Sequence, residues 1–318
     1  MEDFAAIKEQ LVSELQQLEA KRKELYAQTR KFLIVFIAVG IVGAIVALIT
    51  EAFQFLIGGL VVGGIIYAIV ASVNGNKYKK EFKQKVIPAI VRAIDPELKY
   101  QADNHITKSQ FYESQIFKQR ADKYSGEDYF SGMIGKTSVE FSELHAQERH
   151  TTTDSKGRTQ THYVTFFRGL FMIADFNKEF NGHTIVLPDT AEKAFGWLGK
   201  KLQSWNVSRE DLIYLEDPEF EKEFVVYGSD QVEARYILAT SMMRRILDLK
   251  KKFNCSIYLS FLNSNVYVAI YTNKNMLEPK LSESLLERDS VKKFYDQISQ
   301  CVNIIDELNL NTRIWGKQ

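Results

Sequence analysis

The sequence predicts an α+β protein: an N-terminal helix, a two-span helical hairpin, then antiparallel β hairpins with packed helices. Three observations carry this. Phe32–Thr50 and Phe55–Val73 are each nineteen residues without a charge. Beyond residue 100, strand-like and helix-like stretches come in blocks rather than in strict βαβ alternation. Asn263-Ser264 divides two alternating apolar stretches, which is hairpin chemistry.

Residues 1–31 read as one helix on the cytoplasmic side. Phe4, Ile7, Leu11, Leu15, Leu18 and Leu25 follow alternating spacings of three and four, and Arg22 interrupts that seam. Six basic and six acidic residues leave the segment neutral. The seam suits either a coiled coil between protomers or packing on the chain's own cytoplasmic part.

The hairpin, residues 32–73, has spans 32–50 and 55–73. At 1.5 Å per residue each reaches about 28 Å, close to the roughly 30 Å hydrocarbon core of a bilayer. Thirteen residues of the first span are Phe, Leu, Ile or Val, and neither span holds an Asp, Glu, Lys, Arg or His. That argues for an anchor and against an ion or proton path. Lys21, Arg22, Lys23, Arg30 and Lys31 precede the spans, and Lys77, Lys79, Lys80, Lys83 and Lys85 follow them. The connection Glu51-Ala52-Phe53-Gln54 has no basic residue. The positive-inside bias therefore predicts both termini in the cytoplasm, with a four-residue turn outside. Small residues at spacing four, such as Gly40/Ala44, Gly43/Ala47 and Gly59/Gly63, predict close helix packing.

Residues 74–100 form a basic juxtamembrane linker or helix, with seven Lys/Arg against three acids. Its lysines explain the orientation, and Lys77, Lys79, Lys80, Lys83 and Lys85 are also candidate contacts for anionic lipid headgroups. Residues 101–318 form a cytoplasmic domain long enough for its own core. Expected there are a helix over Ser109–Phe117 and a long hairpin of Thr137–Gln147 with Tyr163–Phe176 around Asp154-Ser155-Lys156-Gly157. Short strands follow at Thr184–Leu187 and Phe224–Tyr227. Asp230-x-x-Glu233 reads as a capping box opening a helix through Leu238. A further helix carries Met243, Ile246, Leu247 and Phe253. The hairpin Ser256–Leu262/Asn265–Thr272 and an amphipathic helix over Ser290–Leu308 complete the domain. Tyr258, Tyr267 and Tyr271 fall on one hairpin face, either as an aromatic binding surface or covered by the C-terminal helix.

Composition excludes several classes. With 41 Lys+Arg against 40 Asp+Glu, the net charge of +1 gives no globally basic nucleic-acid binder. The mean hydropathy of −0.21 hides the two apolar spans inside an ordinary average. Gly135-Lys136-Thr137 lacks the glycine a phosphate loop needs at position 130, which is Phe130. His145, His150 and His162 lie on the first hairpin, in a register that sets His150 opposite His162; a solvated polar loop is the expected reading. Cys255 and Cys301 lack metal or redox spacing and are expected as reduced thiols. No cofactor or metal is implied. Acids cluster at Glu127-Asp128 and at Glu216-Asp217-Pro218-Glu219. With Arg168, Glu127, Asp128, Glu216, Asp217 and Glu219 are the candidate pocket residues; the alternative is ordinary loop and helix-start chemistry.

Two spans are followed by Phe167-Arg168-Gly169-Leu170-Phe171, His183-Thr184 with Val186 and Pro188-Asp189. Next comes the run Leu215-Glu216-Asp217-Pro218-Glu219-Phe220-Glu221-Lys222-Glu223-Phe224-Val225-Val226-Tyr227, then Gln231-Val232-Glu233-Ala234-Arg235-Tyr236. This resembles the bacterial membrane proteins grouped as domain of unknown function 3137, some of which carry the label galanin. The resemblance spans roughly residues 75 to 315. It brings no activity or catalytic residue and implies a bacterial inner-membrane setting. The reading is a membrane-anchored, non-enzymatic module that binds the bilayer and a protein partner or a second copy, and no nucleic acid. The alternatives are a membrane-tethered enzyme with a non-standard acidic site, or an anionic-lipid sensor.

Overall fold

A computed structural model describes residues 4–50, 53–153, 156–176, 178–189, 212–287 and 290–311. The protein is α+β, with two long apolar helices preceding an antiparallel sheet. It divides into two compact units. Met1–Ile94 with Leu277–Gln297 forms the first, and Asp95–Met276 with Ile298–Gln318 forms the second.

In the first unit, α1 runs Phe4–Thr50 and α2 runs Phe53–Ile94. Each is unbroken from its apolar half into its polar half. Phe53 and Gln54, expected in the turn, are helical, and Glu51 and Ala52 lie outside the described residues. The apolar halves are long and apolar enough to cross a membrane. Their side chains point outward: Leu48 is 71% exposed and Ile49 77%. The two helices meet through small residues. A methyl at Gly40 or Gly43 would press on Leu60 or Leu56 at 3.1 Å, and one at Gly63 would overlap the Phe36 ring. Gly59 faces open space.

The polar halves have a core of their own. Leu15, Leu18 and Leu25 of α1 are buried with Tyr78, Phe82, Val86, Ile87 and Ile90 of α2. Residues 277–287 form a strap that adds Leu277 and Leu285 to this core, and Val291 joins them. Phe82 meets Phe294 with ring centroids 4.7 Å apart. The leucine seam of α1 is thus covered within the chain; the side chains of Phe4, Ile7 and Leu11 lie outside the described residues.

The second unit is built on one antiparallel sheet. Its strands are β1 (Lys99–Gln101), β2 (Lys123–Ile134), β3 (Thr137–Thr153), β4 (Thr159–Asp175), β5 (His183–Pro188), β6 (Leu212–Ile213), β7 (Phe224–Gly228), β8 (Ser256–Leu262) and β9 (Asn265–Tyr271). Their order is β1-β2-β3-β4-β9-β8-β5-β7-β6. The helices are α3 (Lys108–Glu113), α4 (Pro218–Glu223), α5 (Gln231–Ile237), α6 (Thr240–Phe253) and α7 (Lys292–Glu307), whose first residues belong to the first unit.

Strand pairing sets Phe141, Met172, Val268, Leu259, Val186 and Val226 in one row across six strands, all at most 3% exposed. The β8–β9 turn places Asn263 and Ser264 at positive φ, as a tight two-residue hairpin requires. Tyr258, Tyr267 and Tyr271 line the opposite face. The C-terminal helix does not cover them; Phe111 of α3 and Phe117 belong to the cluster that does. Phe111 is fully buried and touches the rings of Phe117, Tyr124, Phe167 and Phe171 at 5.0–5.8 Å. Phe111→Ala is expected to cost about 3–5 kcal/mol in denaturant unfolding of the purified chain. A cost under about 1 kcal/mol contradicts this packing.

Candidate functional site

The acid–arginine group forms around an irregularity in β2. Asp128 adopts positive φ (58°), the β2–β3 register shifts between Glu127 and Phe130, and the Asp128 amide donates to the Ala102 carbonyl at 3.0 Å. The Asp128 side chain is buried, and its Oδ1 accepts from Tyr100 Oη at 2.5 Å. Burial, then the Asp128 charge, pushes the Tyr100 phenol far above its ordinary range, so Tyr100 remains the donor. Arg168 on β4 donates to Asn275 Oδ1 at 2.8 and 3.3 Å, and Asn275 Nδ2 donates to Glu127 at 3.0 Å. Glu143, opposite Glu127 on β3, accepts from the Met276 amide at 2.5 Å. The structure therefore joins Glu127 to Arg168 through Asn275, with Asp128 on the same bulge. The groups are held by their own chain: the carboxylates accept from Tyr100, Asn275 and a backbone amide.

The second acidic cluster is elsewhere. Asp217 caps α4, accepting from the Glu219 and Phe220 amides at 3.0 and 3.2 Å, with Pro218 in the first turn. Glu219 pairs with Lys251 at 3.0 Å, and Glu216 is exposed. The strand order puts β3, β4, β9, β8 and β5 between β2 and β7, the strand that follows α4. At about 4.8 Å per strand that is a separation of roughly 29 Å. A single pocket combining Glu127, Asp128 and Arg168 with Glu216, Asp217 and Glu219 is therefore overturned.

The lysine group also divides. Lys77, Lys80 and Lys85 are exposed, while Lys83 is 3% exposed and pairs with Glu278 of the strap at 3.3 Å. Lys79 pairs with the same carboxylate at 2.8 Å. Lys83 is thereby removed as a headgroup contact.

Arg22, which breaks the leucine seam, is the centre of a buried polar latch that sequence reasoning missed. Its Nε and Nη2 donate to Glu19 at 2.8 Å each, and Nη1 donates to the Leu281 carbonyl at 2.6 Å. Glu19 also accepts from Ser284 Oγ at 3.0 Å and the Leu285 amide at 3.1 Å. Arg22 above all, with the Leu285 amide and Ser284, lowers the Glu19 carboxyl to about 2 against the burial that raises it. The available signal was an acid three residues before a lone arginine on an apolar helix face.

Other candidates are structural. Gly135-Lys136-Thr137 is a β2–β3 turn whose Lys136 amide and Thr137 hydroxyl donate to Asn311 Oδ1. Both cysteines are free thiols, and burial pushes Cys301 up to about 12, unsuited to nucleophilic work. Asp230 caps α5, but Glu233 does not close the expected box. It accepts instead from the Asn181 and Gly182 amides at 2.8 and 2.7 Å.

Residues 165–310 match the family described as protein of unknown function (DUF3137). The match is narrower than the span over which the resemblance reads. Arg168, the Glu216–Glu219 cluster and the strap fall inside the matched residues; Glu127, Asp128 and the lysine group precede them. No curated protein matches the chain. Among solved structures, the mycobacterial trehalose monomycolate transport factor A, TtfA, aligns at 8% identity and a TM-score of 0.32. The alignment covers 73% of this chain and 99% of that one.

Proposed function

We propose that the chain is a membrane-anchored interaction module of the bacterial inner membrane, with both termini in the cytoplasm and a sheet domain that meets a protein partner or a second copy. The observation that carries this is the outward-facing apolar surface of α1 and α2. Residues such as Val35, Val42, Leu48, Ile49, Ile57 and Ile69 are 58–77% exposed, and that surface needs lipid around it rather than water. The absence of any charge in the spans favours an anchor over a conduit. Glu127 and Arg168 both hydrogen-bond Asn275, which supports a structural role for them. Crosslinking in intact membranes tests the reading. Discrete adducts above the monomer are expected, and recovery of monomer alone contradicts it.

A second reading, contact with anionic lipid, is favoured by the exposure of Lys77, Lys80 and Lys85 just beyond the spans. Replacing all three with glutamine is expected to abolish preferential retention of anionic lipid by the purified chain. Unchanged retention removes this reading.

A further inference from the structure

The β3–β4 pair runs on beyond both of its neighbours. The β2 ladder stops at Gln147 and the β9 ladder at Gly169, so among the described residues 148–153 and 159–164 form ladder pairs only with each other. On one face of this ribbon His150 stands directly across from His162, with Glu148 two residues before His150 on the same face. The two rings stack with centroids 5.7 Å apart and planes 28° from parallel. Glu148 Oε2 is 3.1 Å from His150 Nε2. The three side chains are partly or fully open to solvent.

We propose that His150, His162 and Glu148 form a binding site for a divalent transition-metal ion of the Zn2+ class. Directly facing residues of an antiparallel pair have Cβ atoms about 4.5–5.5 Å apart, which lets two imidazoles reach one ion at about 2.0–2.1 Å. Rotation of the exposed side chains would bring a nitrogen from each ring onto the ion, with the Glu148–His150 hydrogen bond exchanged for coordination by the carboxylate. Two imidazoles and one carboxylate suit Zn2+, Cu2+ or Ni2+ and discriminate against Mg2+ and Ca2+, which prefer all-oxygen shells. Three protein ligands leave a coordination position open for water or for a group from another molecule. The ion would also tie the two strands of the ribbon together across their free end.

The test is calorimetric titration of the full chain, purified in detergent without a polyhistidine tag, with Zn2+ alone. The wild-type chain is expected to bind about one equivalent. His150→Ala and His162→Ala are each expected to weaken binding by at least about tenfold, and Glu148→Gln by a smaller factor. His183→Ala, on β5, is expected to bind as the wild type does. Unchanged thermal unfolding of the variants in a metal-free buffer separates loss of a ligand from loss of the fold. Failure of the wild type to bind Zn2+, or undiminished binding by either histidine variant, overturns the site.

Discussion

Gly169→Ala is expected to leave little folded protein, at a cost of about 4 kcal/mol or more. A methyl on Gly169 would lie on top of the Ile270 carbonyl oxygen, part of the backbone of the adjacent strand β9. That atom cannot step aside without opening the β4–β9 ladder, and with it the six-strand row through Met172 and Val268. The φ of 158° adds a conformation that side chains rarely adopt. Gly157→Ala is the contrast: its φ is 77°, but nothing lies within 4 Å of the added methyl. It is expected to cost only about 1–2 kcal/mol. Soluble yield and denaturant midpoints of the two purified variants check the pair. Equal costs would show that left-handed φ, rather than the close approach at β9, is what matters.

The second large effect lies in the latch. Glu19→Ala leaves the Arg22 guanidinium buried without its carboxylate, at an expected cost of about 3–5 kcal/mol. Replacing both with apolar residues of similar size, Glu19→Leu with Arg22→Met, is expected to recover most of it, because no charge is then left buried. The latch also predicts an acid dependence. Glu19 has a folded-state value near 2 against an ordinary 4.5, so its contribution is fully present above pH 4.5 and is lost as pH falls toward 2. The shift corresponds to about 3 kcal/mol. Thermal unfolding of the wild type between pH 5 and 2, compared with the double variant, isolates it. Parallel pH profiles in the two proteins contradict the assignment.

Local chemistry made much of the fold readable. The spans, the Asn263-Ser264 turn, the Asp230 cap and the His150–His162 register each follow from residues close in sequence or from a two-residue period. What escaped depends on distance or on broken periodicity. Strand β2 was not recognised because Gly126, Gly132 and the bulge at Glu127/Phe130 interrupt its alternation. Arg22 looked like a flaw in a coiled-coil seam because the carbonyl that accepts from it, Leu281, lies 259 residues away. Lys83 looked like a membrane-facing lysine because its partner Glu278 is likewise remote. The cover over the tyrosine face of β8–β9 was not legible, since Phe111 and Phe117 reach it from a segment that precedes the sheet's long hairpin.

We propose an anchor with both ends on one side of the membrane. It is tested most directly by membrane-impermeant maleimide labelling of intact cells that express single-cysteine chains, with Cys255 and Cys301 replaced by alanine. A cysteine at Gln54, an exposed position at the start of α2, is expected to label from outside. One at the exposed Lys77 is expected to label only after the cells are opened. Labelling of position 77 in intact cells, or protection of position 54, would contradict the account.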